Sequence, residues 1–101
     1  MKKHPQSVYP QGQRVEVSVE IKDPNSGEPY DPPKVVCTVE DGDGSTSTPA
    51  VSNPQVGRFV AFTVFKEDGR GGYAFDAFDD EDEPLGTIEV EVRIRKQEVP
   101  R

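Results

Sequence analysis

The sequence predicts an all-β fold, an antiparallel sandwich of about seven short strands held together without a disulfide. Three observations carry this. Val15, Val17, Val19 and Ile21 alternate with Glu16, Ser18, Glu20 and Lys22, and Ile88, Val90, Val92 and Ile94 alternate with Glu89, Glu91, Arg93 and Arg95. A period of two puts each apolar set on one face of a strand. Turn residues then break the chain at short intervals, with 10 Pro and 9 Gly among 101 residues. Finally, no segment carries a helical apolar stripe. An apolar fraction of 32% would by itself also fit a disordered chain, so the periodicity decides.

Taken in order, a short strand is expected near Ser7 to Pro10, followed by the first alternating ribbon. That ribbon stops at Asp23-Pro24-Asn25-Ser26-Gly27, where proline removes a ladder donor and glycine permits turn geometry. Further strands are expected at about Lys34 to Glu40, Ser45 to Val51, Gly57 to Lys66 and Gly72 to Asp79, before the ribbon Ile88 to Ile94. In Phe59-Val60-Ala61-Phe62-Thr63-Val64-Phe65 both faces are apolar, which predicts a central strand or aromatic surface left for a partner. Turn signals every eight to twelve residues or so are the rhythm of an Ig-like domain. Gly71, Tyr73 and Phe75 at alternate positions fit either a tyrosine corner or a plain strand start. The expected organisation is an N-terminal arm over residues 1–12, an Ig-like sandwich over 13–97 and a short tail over 98–101. One core is expected, because two would leave each half below the size that usually folds unaided.

Composition narrows the function. A net charge of −7 repels nucleic-acid phosphates. No apolar run reaches the length of a membrane span, and Met1-Lys2-Lys3-His4-Pro5 is not followed by an apolar stretch, so neither membrane segment nor signal peptide is expected. Synthesis in a cytoplasm is the corresponding expectation. Cys37, in the run Val35-Val36-Cys37-Thr38-Val39, is expected to be buried and reduced. His4 has no triad or ligand pattern around it, and the acids Asp79 to Glu83 on one loop tip lack the burial that tunes a general acid. No catalytic residue and no cofactor are therefore assigned.

The candidates that remain concern binding. Asp41-Gly42-Asp43-Gly44-Ser45 places oxygens from Asp41, Asp43 and Ser45 as a calcium loop begins, but position twelve is Ser52 rather than a bidentate carboxylate, and a hairpin turn explains the same residues. Ig topology would bring Asp23, Glu28 and Asp31 to the same end as Asp79, Asp80, Glu81, Asp82 and Glu83, making one tip acidic, with Arg70, Arg93, Arg95, Lys96 and Arg101 toward the other. An acidic tip speeds encounter with a basic surface, although a charge cluster also serves solubility alone. Lys2 and Lys3 on the N-terminal arm are the other candidate partner contacts.

The order of signals resembles small Ig-like proteins of tailed bacteriophages. The matching pieces are Tyr9-Pro10-Gln11-Gly12-Gln13-Arg14-Val15, the Asp23 to Gly27 turn, Tyr30-Asp31-Pro32, Asp41-Gly42, Val56-Gly57-Arg58-Phe59 and Gly71-Gly72-Tyr73, covering roughly residues 8–96. The resemblance implies a virion structural protein, a head accessory or decoration domain on the capsid surface that binds the major capsid protein. Behind that reading, as the alternative, stands a phage tail or bacterial surface adhesion domain that takes calcium or carbohydrate. It carries over no site residues.

Overall fold

The computed structural model describes residues 7–96. Eight strands follow in order: β1 (Ser7–Pro10), β2 (Arg14–Glu20), β3 (Lys34–Glu40), β4 (Thr46–Ser47), β5 (Val51–Gln55), β6 (Arg58–Val64), β7 (Gly69–Phe78) and β8 (Pro84–Arg95). They form a five-stranded sheet in the order β1-β8-β7-β3-β4 and a three-stranded sheet in the order β2-β6-β5. All pairings are antiparallel except that of β1, which runs parallel to β8 from Ser7 opposite Val92 to Pro10 opposite Arg95. The expected arm is therefore in part a strand: Tyr9 packs against the core with its ring 5.5 Å from that of Phe65.

The two ribbons face each other across the sandwich, as their periodicity requires. Val17 and Val19 on β2 are buried against Val92 and Ile94 on β8, with Cys37, Val39, Phe59, Ala61, Phe65 and Phe75 between them. Each such side chain contributes about 1.5–3 kcal/mol by leaving water.

Two expectations need correction. The stretch Ser45 to Val51 is not one strand; it divides into β4, which pairs with β3, and β5, which crosses to pair with β6 in the other sheet. The residues Thr48-Pro49-Ala50 fall between them, and Pro49 cannot donate to a ladder. Ile88 lies on the inner face of β8 opposite Phe75, yet remains 42% exposed. Its register is as expected but no strand covers it, because β1 accompanies β8 only opposite Val92 to Arg95 and the three-stranded sheet ends at β2. In the doubly apolar segment, β6 is central and buries Phe59 and Ala61, while Phe62 and Val64 stay exposed on the outer face, with the Arg14 guanidinium 4.3 Å from the Phe62 ring centre.

At one end of the sandwich the loops before β4 and before β7 are knitted by one side chain. Asp41 Oδ2 accepts from Lys66 N at 2.9 Å, and its Oδ1 accepts from Glu67 N at 2.9 Å and Gly42 N at 2.8 Å. Gly42 is required there, since a Cβ would lie 2.2 Å from the Asp68 carbonyl oxygen. Asp41 thus pins the crossover into β7 from the loop before β4.

Candidate functional site

The opposite end gathers three connections. The β2–β3 loop makes a tight turn in which Asp23 Oδ1 accepts from Asn25 N at 2.7 Å and Gly27 N donates to Asp23 O at 2.8 Å. Asp31 ties this loop to the β5–β6 turn, accepting from Gly57 N at 2.6 Å. Gly57 takes a φ of 80°, and a Cβ there would sit 2.7 Å from the Ile21 carbonyl oxygen, so both conformation and space demand glycine. In the β7–β8 turn, Asp79 Oδ1 accepts from Glu81 N at 2.8 Å and Glu83 N at 2.9 Å, and Asp82 adopts a φ of 62°.

The acidic end expected from the sequence is thus present but divided in role. Asp23 and Asp79 use their carboxylates to hold their own loops, and Asp31 uses its carboxylate to tie its loop to the β5–β6 turn. Asp82 pairs with Lys34 at 3.3 Å, an exposed contact whose lysine lies 5.4 Å from the Phe78 ring centre. Glu28, Asp80, Glu81 and Glu83 have no side-chain partner among the described residues and face water. The far end is mixed rather than basic. Arg70 sits directly across from Arg93, and Arg95 and Lys96 follow, but Asp41, Asp43, Glu67 and Asp68 share that region. Lys2, Lys3, His4 and Arg101 lie outside the described residues.

Beside the acidic end an apolar groove of about 400 Å³ opens between the sheets. Its walls are Ile21, Tyr30 and Pro32 from the β2–β3 side and Ala77, Leu85 and Ile88 from the β7–β8 side, with Asp23 and Lys22 at the rim. Its mouth follows the stretch of β8 that β1 does not reach. Sequence periodicity pointed Ile88 inward, but only the strand order reveals that it faces a groove rather than a sealed core.

The chemistry of the remaining candidates follows from their surroundings. The Asp41 oxygens are occupied by backbone amides, whose positive ends oppose a cation, while Asp43 Oδ1 turns instead to Ser45, accepting from its amide at 3.0 Å and its hydroxyl at 2.7 Å. These bonds hold the Asp43 carboxyl below its ordinary value, the Ser45 hydroxyl contributing most. The loop thus aims its carboxylates at two different partners. Cys37 is fully buried, and burial, helped by the Asp76 carboxylate, pushes its thiol up to about 11, far from a reactive thiolate.

No protein-family model matches the chain, and no curated protein matches it in sequence. Among solved structures it is similar to the crystal structure of the Lin-41 filamin domain, with a TM-score of 0.70 over 92% of this chain and 87% of that one. The fold is an Ig-like β-sandwich. At 15% identity the similarity extends to architecture alone. This Ig-like chain keeps its two sheets together without a disulfide, its one cysteine being buried and free.

Proposed function

We propose that this Ig-like chain is a non-enzymatic protein-binding module, set on the capsid of a tailed phage as an accessory or decoration protein bound to major capsid subunits. The observation that carries the binding reading is the acidic end. Glu28, Asp80, Glu81 and Glu83 stand unpaired there among the described residues, on loops braced by Asp23, Asp31 and Asp79. A fixed scaffold presenting unpaired charge steers a basic surface toward it and disfavours anionic ones. The lack of catalysis is supported by the thiol's burial and by a groove walled with apolar groups. The phage setting rests on the order of motifs from Tyr9 to Tyr73 that resembles small Ig-like virion proteins.

Mass spectrometry and cryo-EM of particles purified from the phage that encodes the chain test this reading. The expected result is the protein in virions, at a regular position on the capsid surface. Its absence from purified particles would remove the capsid reading.

A further inference from the structure

The two long margins of the sandwich are built differently. On one, β5 carries Pro54 and a break in register between Ser52 and Gln55, and β4 is only 2 residues long. Proline, bulges and short strands are the devices that keep a sheet edge from pairing with another chain. On the other margin, the side of β8 turned away from β7 has no strand beside it from Gly86 to Val90 among the described residues, and that stretch contains no proline or bulge, the break in register at Leu85 lying just before it. That edge borders the groove between Ile21 and Ile88, and both Leu85 and Ile88 are exposed, at 51% and 42%.

We propose that this margin receives an extended strand from a partner protein, which pairs with the β8 edge over residues 86–90 and lays alternate apolar side chains into the groove, with Lys or Arg flanking them. The inference rests on the protein-binding reading above and names its surface. Strand addition draws its affinity from main-chain hydrogen bonds and its selectivity from pockets for every second side chain, and this margin supplies both. Charge selects the flanks: Asp80, Glu81 and Glu83 stand next to the start of the edge, and Asp23 lies on the groove rim. A second copy of this chain fits poorly, because edge-to-edge pairing would bring two acidic β7–β8 turns onto chains that each carry a charge of −7. The chain's own Met1-Lys2-Lys3-His4-Pro5-Gln6 has no alternating apolar residues to fill the groove.

The test uses the full chain and a fluorescent synthetic peptide, Lys-Lys-Thr-Val-Thr-Val-Thr-Lys-Lys. Two controls accompany it: a version with Pro for each Val, which keeps the charge but cannot pair as a strand, and a version with Glu for each Lys. Titration by anisotropy should give saturable binding of the first peptide and at least about tenfold weaker binding of both controls, the equivalent of 1.4 kcal/mol. Amide exchange should slow within residues 86–90. Ile88→Lys, at a position already exposed, should keep the melting temperature and weaken the peptide at least about tenfold. Equal binding of the Pro peptide, an unaffected Ile88→Lys variant, or protection at Lys34 to Thr38 on β3 would each overturn the proposal. So would protection within residues 86–90 without peptide that disappears when residues 1–6 are removed, because the chain itself would then be the occupant. If Ile88→Lys still binds capsids like the wild type, the groove fails and the binding module stands; if neither variant nor wild type binds capsids while the peptide binds as described, the capsid reading fails and the groove stands.

Discussion

Replacing Asp41 with alanine removes one carboxylate and leaves three backbone amides to find other partners. The bond to Gly42 is between neighbours in sequence and constrains little, so the cost comes chiefly from Lys66 N and Glu67 N, both held at 2.9 Å across the sandwich end. A hydrogen bond to a charged acceptor contributes roughly 1.5–3 kcal/mol when protected from water. These two amides are exposed, and water can replace part of what is lost, which brings the estimate to about 1 kcal/mol each and about 2 kcal/mol together. For a domain of this size that corresponds to a fall in Tm of roughly 8–16 °C. Asp41→Asn should cost nearly as much, since its single carbonyl oxygen can serve one side while its NH₂ group meets N–H donors. Urea unfolding followed by circular dichroism measures the loss, and amide exchange at Lys66 and Glu67 should accelerate more than at core positions such as Cys37. A loss below about 0.5 kcal/mol, within the range of an ordinary surface substitution, would refute the assignment of Asp41 as the pin of this end.

Calcium at millimolar concentration should give a flat calorimetric titration, because the Asp41 oxygens already face amide donors; a saturable heat abolished by Asp43→Ala would contradict this. Val17→Asp should abolish the cooperative transition. Val17 is 1% exposed, and an unpaired buried charge costs several kcal/mol out of a total stability of about 5–15 kcal/mol; a dispersed amide spectrum in this variant would refute the facing of β2. Neutralising Asp80 and Asp82 to asparagine should lower Tm by no more than roughly 4–8 °C, since the exposed Lys34–Asp82 pair contributes at most about 1 kcal/mol, and should slow association with capsids and flatten its salt dependence; an unchanged on-rate would reduce the acidic end to a solubility feature. In alkaline solution the neutral Cys37 thiol favours the folded state up to its ordinary value of 9.0, and this contribution is lost as the pH rises toward 11. The loss amounts to about 2 kcal/mol by that pH, and the decline of stability between these values should be shallower in Cys37→Ala. An identical slope would show that the thiol titrates alike in both states.

Much of the fold was legible because a strand's period is local. Val15 to Ile21 and Ile88 to Ile94 reveal which side chains share a face before any partner is known, and the span of β3 is readable from Lys34 to Glu40 for the same reason. The turn at Asp23 to Gly27 follows from aspartate's ability to cap its own backbone and glycine's freedom at a φ of 76°. The acidic end was legible as charge but not as chemistry. Which of its carboxylates bind backbone and which stand unpaired depends on where an amide happens to arrive: Gly57 N at Asp31 comes from 26 residues away.

The sequence by itself determined the class of fold, the strands' inner faces and the burial of Cys37, all of which are set by the order of apolar and polar groups along a few residues. Only the tertiary structure decided that Thr46–Ser47 and Val51–Gln55 belong to different sheets, that Asp41 holds a crossover, and that Ile88 looks into an open groove. The physical reason is that alternation fixes the direction a side chain takes, whereas its cover is supplied by whatever strand lies opposite. Opposite Ile88 the three-stranded sheet has already ended.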